Sequence, residues 1–422
     1  LDGEAEPGCL PPERLRNNRE RMLLTYRYKL KPTRAQYAAL DWLLEAQRQL
    51  YNAALQERIE AWQKASKSVS KIDQNKSLTQ IRSFDETYAS MPVALSRWSL
   101  TRLDDAMAGF FARVTRGQSP GFPRFKPRSR WSSFGFVEWS GIRLSSDRLL
   151  FKPLAGGLRL NLHRPVPEGS SIKSCTFTRR GGHWWITMAV DVALAAAHAA
   201  PDSAVGLDVG IEHLATLSDG ARVENIRPRS RREKELRCAQ RALARCKRGS
   251  KRRRKVRERL AAVQRRIQQA RASHLHDVSS SIAARYAFIA VEDLKLKNMT
   301  RSARGTAAEP GTNVRQKAGL NRALLDAAPA RLIQMLTYKA ERAGGMVVRV
   351  DPRRTSLECS SCGTIVEKTL SMRRHVCECG TTLHRDENAA INILNRALVA
   401  HGRAKPPGDG NVGHQPERRL GT

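Results

Sequence analysis

Ala204-Val205-Gly206-Leu207-Asp208-Val209-Gly210 is an apolar run broken by a single carboxylate. Its length, its Val and Leu content and its glycines read as a buried strand with Asp208 near the end. A carboxylate in that place is costly unless something cationic meets it. Two other stretches repeat the pattern. Ala287-Phe288-Ile289-Ala290-Val291 runs straight into Glu292, and Asp386 opens the apolar-periodic helix Asn388-Ala389-Ala390-Ile391-Asn392-Ile393-Leu394. Any one of these acids alone reads as a solvated turn residue, because carboxylates are mostly exposed. All three have an apolar flank and they are spread over one half of the chain, which predicts two strand ends and a helix start converging on hard divalent cations. Two such ions form a clamp for phosphodiester hydrolysis. Asp208, Glu292 and Asp386 are therefore the expected catalytic residues and the ligands of two Mg²⁺ ions.

The composition agrees with a phosphate-rich partner. The 422 residues carry 75 Lys and Arg against 40 Asp and Glu, a formal charge of +35. Charge of that size calls for a polyanion. With 41% hydrophobic residues the chain is a folded protein of two to four domains rather than a basic tail. No apolar run approaches the length of a spanning helix and no signal peptide is visible, so membrane is excluded as a partner and a cytoplasmic setting is expected. Eight cysteines are present; Cys9, Cys175, Cys238 and Cys246 are scattered and four cluster late. That is no disulfide framework and points to a reducing compartment with one metal site.

The cluster is Cys359-Ser360-Ser361-Cys362-Gly363 followed by Cys377-Glu378-Cys379-Gly380. Four Cys with a Gly after each pair predict a structural Zn²⁺ in a Cys₄ ribbon, with Cys359, Cys362, Cys377 and Cys379 as ligands. The second pair is Cys-x-Cys, which tightens its loop, and His375 is near enough in sequence to replace one thiolate.

Along the rest of the chain, Leu1–Arg21 is polar with three prolines and reads as a flexible leader. Leu23–Leu30 reads as a strand stopped by Pro32. Thr33 with Gln36 signals a capping box, opening a long helix with Leu40, Leu43, Leu44, Leu50, Ala54 and Trp62 as its apolar positions. More helix is expected between about Ser77 and Val114, with Leu95, Trp98, Leu103, Met107 and Phe111 on its faces. From Phe134 to Val192 short strands alternate with turn residues, predicting a small barrel or sandwich, and Ala193–Ala200 reads as a linker. The segment Phe122 to Trp139 interleaves Arg124, Lys126, Arg128 and Arg130 with Phe122, Phe125, Trp131, Phe134 and Trp139. The cations suit phosphates and the rings suit stacking on bases, although Phe134 and Phe136 equally suit a core.

Between Arg227 and Arg271 stand twenty Lys or Arg and three acidic residues, a net +17 and about half of the whole charge. Leu236, Leu243, Cys246, Val256, Leu260, Val263 and Ile267 recur at heptad-like spacing, and Gly249-Ser250 interrupts them. Two basic helices in an antiparallel hairpin fit, with Arg252, Arg253, Arg254 and Lys255 as phosphate contacts. Thr300–Gly319 is polar and aperiodic and reads as a lid-like loop. A helix is expected from Leu320 to about Ala343, then a strand Gly345–Val350. Asp351 precedes Pro352 and suits a turn better than a fourth ligand. Residues 401–422 read as a disordered tail. No helix-turn-helix or zinc-finger helix is recognisable.

Thr355-Ser356-Leu357-Glu358-Cys359-Ser360-Ser361-Cys362-Gly363 with His384-Arg385-Asp386-Glu387-Asn388-Ala389-Ala390-Ile391-Asn392 resembles the C-terminal signature of transposon-encoded TnpB nucleases and the compact type V CRISPR effectors related to them. Gly206-Leu207-Asp208-Val209-Gly210 and Val291-Glu292-Asp293-Leu294 resemble the first two RuvC motifs of that family. Gly121-Phe122-Pro123-Arg124-Phe125-Lys126, Arg315-Gln316-Lys317 and Gly319-Leu320-Asn321-Arg322 are similar to further segments. The likeness runs from Met22 to about Leu398 and omits the leader and the Cys-x-Cys knuckle. It implies a multidomain α/β protein with an OB-like β-barrel wedge domain (22–32 and 117–200) and a helical recognition insertion (33–116). An RNase H-like RuvC nuclease domain (201–350 and 380–400) would carry the basic hairpin (227–275), the lid (300–319) and an inserted zinc ribbon (351–384). The implied activity is RNA-guided cleavage of double-stranded DNA beside a short flanking motif, with guide RNA and target DNA as partners. A cleavage-deficient guided DNA-binding repressor and a transposase are the alternatives.

Overall fold

The computed structural model describes residues 21–306, 308–369 and 372–403; the leader before Arg21 and the tail from residue 404 lie outside the described residues. The chain divides after Ala193 into two compact units.

The first unit begins with β1 (Arg21–Lys31), whose alternate residues Leu24, Tyr26, Tyr28 and Leu30 are buried. Helix α1 (Arg34–Ala65) starts at the expected capping box: Thr33 Oγ1 accepts from Gln36 N at 3.2 Å and Gln36 Oε1 accepts from Thr33 N at 3.1 Å. Its predicted apolar face is buried except for Trp62, which is exposed. The helical region beyond is not continuous. It comprises α2 (Lys71–Phe84), the single turn α3 (Glu86–Ala89) and α4 (Val93–Thr115). Asp85 caps α3 by accepting from Thr87 N at 2.8 Å, and Pro92, which cannot extend a helix from within, sits at the start of α4.

Six more strands follow: β2 (Ser133–Phe136), β3 (Ile142–Ser145), β4 (Arg148–Phe151), β5 (Leu154–Asn161), β6 (Ser171–Arg180) and β7 (His183–Ala193). With β1 they form one antiparallel sheet in the order β2-β6-β7-β1-β5-β4-β3. In a flat sheet β2 and β4 would lie about 24 Å apart, five spacings of about 4.8 Å. Yet Phe136 of β2 and Phe151 of β4 touch, with ring centroids 5.4 Å apart, and both meet Phe177 of β6. The sheet is therefore strongly curled around an aromatic core. Its edges β2 and β3 are not hydrogen-bonded to each other among the described residues.

The second unit is built on a five-stranded mixed sheet. Its strands are β8 (Ala204–Asp208), β9 (His213–Leu217), β10 (Arg222–Glu224), β11 (Phe288–Glu292) and β12 (Met346–Val350), in the order β10-β9-β8-β11-β12. β8, β11 and β12 are mutually parallel, and β9 runs antiparallel to β8. The apolar runs of β8 and β11 are continuous because both faces are covered. Phe288 and Ala290 face α11 (Arg385–Ala400), whereas Ile289 and Val291 face the helices of the other side.

Between β10 and β11 stand the short α5 (Pro228–Arg231), then α6 (Glu233–Ala244) and α7 (Lys251–Arg285). Leu236, Val263 and Ile267 close the seam between the two long helices. α7 extends past the expected hairpin because Leu275, Ile282 and Ala283 join the sheet's core. After β11 come α8 (Leu296–Met299), α9 (Val314–Ala327) and α10 (Pro329–Arg342). The stretch read as a loop to Gly319 is thus already helical from Val314. The single helix expected to Ala343 is broken at Ala328, at φ 55°, just before Pro329. A two-stranded ribbon, β13 (Arg374–Val376) and β14 (Thr382–His384), leads into α11. Of Ala193–Ala200, read as a linker, Ala193 ends β7 and the rest belongs to this unit; buried His198 places Nε2 3.0 Å from Ala283 O. No helix among the described residues is long and apolar enough to cross a membrane.

Candidate functional site

The register of β8 against β11 pairs Leu207 with Val291, so Asp208 and Glu292 are the next residues out, at the same end of adjacent parallel strands. α11 crosses β8 so closely that a Cβ on Gly206 would lie 2.0 Å from Ala390 O. This close approach brings Asp386, in the first turn of α11, to the same end of the sheet. The three predicted acids, scattered over 179 positions of sequence, therefore share one site.

Their electrostatics follow from that sharing. Burial, then the charges of Glu292 and Asp386, push the Asp208 carboxyl up to about 7, against the opposing pull of Arg385. Burial also raises Glu292, offset by a hydrogen bond from Thr355 and by the Arg396 guanidinium. Asp386 takes a contact from Arg385 Nε at 3.4 Å, and its Oδ2 lies 3.9 Å from His384 Nδ1. The site is a cluster of oxygen donors, Glu292 buried and Asp208 and Asp386 half-buried, whose negative charge the protein only partly compensates, the kind of donor that a hard divalent cation selects. Asp351 takes the turn role, its Oδ1 accepting from Arg353 N at 3.0 Å.

A second layer escaped the sequence reading. Buried Thr355 donates from Oγ1 to Glu292 Oε1 at 2.6 Å. Asn388, Asn392 and Arg396 form a stripe along α11 that grips the backbone of residues 351–360. Asn392 Nδ2 donates to Thr355 O at 2.9 Å and Glu358 O at 2.7 Å. Asn388 Nδ2 donates to Glu358 O at 2.7 Å, and its Oδ1 accepts from Ser360 N at 3.0 Å. Arg396 reaches Asp351 O, Arg353 O and Glu358 Oε2. The i, i+4, i+8 spacing of these polar residues on an otherwise buried helix was the available signal.

Cys359, Cys362, Cys377 and Cys379 come together with all four sulfurs within 4.8 Å of one another; they are, among the described residues, the one set of three or more such side chains gathered this way. The Cys359–Cys379 and Cys362–Cys377 separations are 3.7 and 3.5 Å, too long for disulfides. They suit a tetrahedral ion with metal–sulfur bonds of about 2.3 Å, whose sulfurs would stand about 3.8 Å apart. The cluster could hold a structural metal. The shortened second knuckle closes with Gly380 N on Cys377 O, one residue tighter than Gly363 N on Cys359 O. His375 stands outside the set: it is fully buried, with Nδ1 against Lys368 Nζ and Nε2 without a partner.

The proposed nucleic-acid contacts divide. Arg252, Arg254 and Lys255 are exposed on the first turn of α7. Arg253 is committed instead: its Nη1 donates to Leu243 O at 3.0 Å and Cys246 O at 2.9 Å, tying α7 to the end of α6. In the first unit Arg124 and Arg130 are exposed, and Arg128 pairs with Glu45 at 3.0 Å. Lys126 is half-buried, its Nζ 5.7 Å from the centroid of the Tyr51 ring. Of the aromatics, Phe122 and Phe125 are exposed, whereas Trp131, Phe134 and Phe136 are core residues. Trp131 packs on Tyr51 and Trp98, and Phe134 on Phe177 and Trp184, which removes both from the candidates for base stacking.

A family model described as "Cas12f1-like, TNB domain" matches residues 330–393, and one described as "Probable transposase" matches 186–303. A third, "Helix-turn-helix domain", matches 22–67, where the structure has a strand and one long helix. The chain is 31% identical over 383 residues to a Streptomyces pristinaespiralis protein named "Putative RNA-guided DNA endonuclease", covering 89% of each. It is also 31% identical over 387 residues to "Putative RNA-guided DNA endonuclease InsQ" of Escherichia coli K12, covering 90% of this chain and 94% of that one. Its fold is similar to that in the "Cryo-EM structure of the Cas12f1-sgRNA-target DNA complex", with TM-score 0.50 at 13% identity over 86% of this chain and 83% of the other. Aligned with such relatives along most of its length, this chain belongs to the TnpB-like family of RNA-guided DNA endonucleases.

Proposed function

We propose that this protein is an RNA-guided DNA endonuclease that cuts target DNA beside a short flanking motif, with Asp208, Glu292 and Asp386 as its catalytic residues. The observation that carries this reading is the shared site itself: three carboxylates from separate segments, Glu292 buried and Asp208 and Asp386 half-buried, close enough that the charges of Glu292 and Asp386 add to burial in raising Asp208 to about 7. Oxygen-only donors in this number fit two Mg²⁺ ions. Bound there, such ions supply Lewis acidity and an activated water. The chain's own part is to hold three oxygens at one end of a rigid sheet, to exclude bulk water by burying Glu292, and to fix Asp386 through the first turn of α11. The strand order, with an antiparallel second strand beside three parallel ones, supports the RNase H-like reading of this unit. A structural Zn²⁺ on Cys359, Cys362, Cys377 and Cys379 would lock the ribbon against α11.

In this account base pairing by the guide reads the target, and the protein grips backbones. Arg252, Arg254 and Lys255 on the hairpin, and Arg124 and Arg130 on the first unit, are the exposed cations assigned to that grip. The curled sheet serves as the OB-like wedge domain, and α1 to α4 as the recognition insertion. Guidance is tested by purifying the protein with RNA from its native locus, sequencing that RNA, then replacing its variable end and following plasmid cleavage. Cleavage should move with the new guide. A protein that purifies free of RNA and cuts one fixed sequence would contradict the proposal and favour the transposase reading.

A further inference from the structure

We infer that Thr355 is a positioning residue for Glu292, through which α11 orients a carboxylate that it does not itself carry; this rests on the proposed role of Glu292. Glu292 ends β11 with its side chain buried, and at such a place a carboxylate can adopt several rotamers unless something fixes it. Thr355 is the one side-chain hydrogen-bond donor that meets it among the contacts of the described residues, at 2.6 Å. The threonine is 4% exposed, so its hydroxyl meets Glu292 away from bulk solvent.

The turn that presents Thr355 is held from α11. Asn392 binds the Thr355 carbonyl itself, and Arg396 binds the carbonyls of Asp351 and Arg353 on the near side. Asn388 binds Glu358 O and Ser360 N on the far side. The helix whose first turn carries Asp386 thus sets Glu292 through a short relay, Asn392 to Thr355 to Glu292. One rigid element fixes two of the three acids, which would keep their spacing constant when a ligand binds between them. Outer partners of this kind typically contribute about 10–100-fold to metal affinity or activity.

The test compares Thr355→Val, which keeps the shape and removes the hydroxyl, with Thr355→Ser, which keeps the hydroxyl, and with Glu292→Ala. Four quantities are read on the guide-loaded protein: zinc content, Mn²⁺ binding by calorimetry, target cleavage, and binding of target DNA without divalent metal. T355V should bind Mn²⁺ about 10-fold or more weakly and cut correspondingly slowly. Its zinc content and target binding should match wild type, and T355S should recover most of the loss. Wild-type Mn²⁺ affinity in T355V, or an equal loss in T355S, would overturn the proposal. Loss of zinc or of target binding by T355V would also overturn it, because Thr355 would then be a structural residue of the turn. If E292A still cuts, the assignment of Glu292 fails instead, and the two failures stay distinct.

Discussion

Gly206 shows why one residue type is fixed at a position that does no chemistry. Its missing Cβ lets α11 lie on β8, since a methyl there would meet Ala390 O at 2.0 Å and Leu394 N at 2.8 Å. Gly206→Ala should therefore push the helix off the strand and displace Asp386 from Asp208. Overpacking of this kind costs about 1–3 kcal/mol, so a clear drop in melting temperature together with loss of cleavage is expected. An unshifted melting curve with full activity would show that the close approach is dispensable. The three acids were legible in the sequence because each borders an apolar run whose period declared a strand or a helix. Thr355 was not, since its partner stands 63 positions away and nothing local marks a hydroxyl as a donor to a distant carboxylate. Trp131 was misread for the same reason: a ring flanked by arginines suits a base-stacking surface until the tertiary fold buries it against Tyr51 and Trp98.

Among the elements, the hairpin of α6 and α7 separates charge that binds from charge that builds. Arg253 commits its guanidinium to Leu243 O in the last turn of α6 and to Cys246 O just beyond it. Arg252 and Arg254 flank it and are exposed. Reversing both to Glu should weaken RNA or DNA binding and reduce the slope of log affinity against log salt by about 2, near one for each phosphate no longer neutralised. Arg253→Ala should instead loosen the hairpin, read as faster amide exchange at the end of α6. An unchanged salt slope in the double variant would return the hairpin to an ordinary solvated face. The ribbon offers a second test at this scale. Purified protein should contain about one zinc per chain, and Cys359→Ser should lose it together with the order of the turn that carries Thr355, since metal binding and folding of such sites are coupled. Full activity in zinc-free protein would disconnect the ribbon from the site. The capping box of α1 was readable because its hydrogen bonds span only Thr33 to Gln36. The break at Ala328 was signalled by Pro329, but the apolar spacing of Leu324, Leu332, Ile333 and Leu336 ran across it and masked it.

At the scale of the molecule, a charge of +35 sits on a chain whose proposed catalytic centre is a cluster of carboxylates that the protein only partly compensates. The two features suit one task, since a polyanion gripped by the cations can be delivered to a site that needs metal to accept it. The order of strands in each sheet was beyond reach of the sequence, because pairing depends on contacts such as Phe136 with Phe151 across the curl. The division of labour between grip and chemistry makes a direct prediction. Asp208→Ala removes one proposed metal ligand at the end of β8 and leaves every exposed cation in place, so it should change the transition state and not the recognition of the target. The decisive measurement is Mg²⁺-dependent cleavage of a guide-matched plasmid by this variant, run beside a binding assay on the same target. The account predicts intact guided binding with cleavage lost; undiminished nicking or linearisation by Asp208→Ala would contradict it.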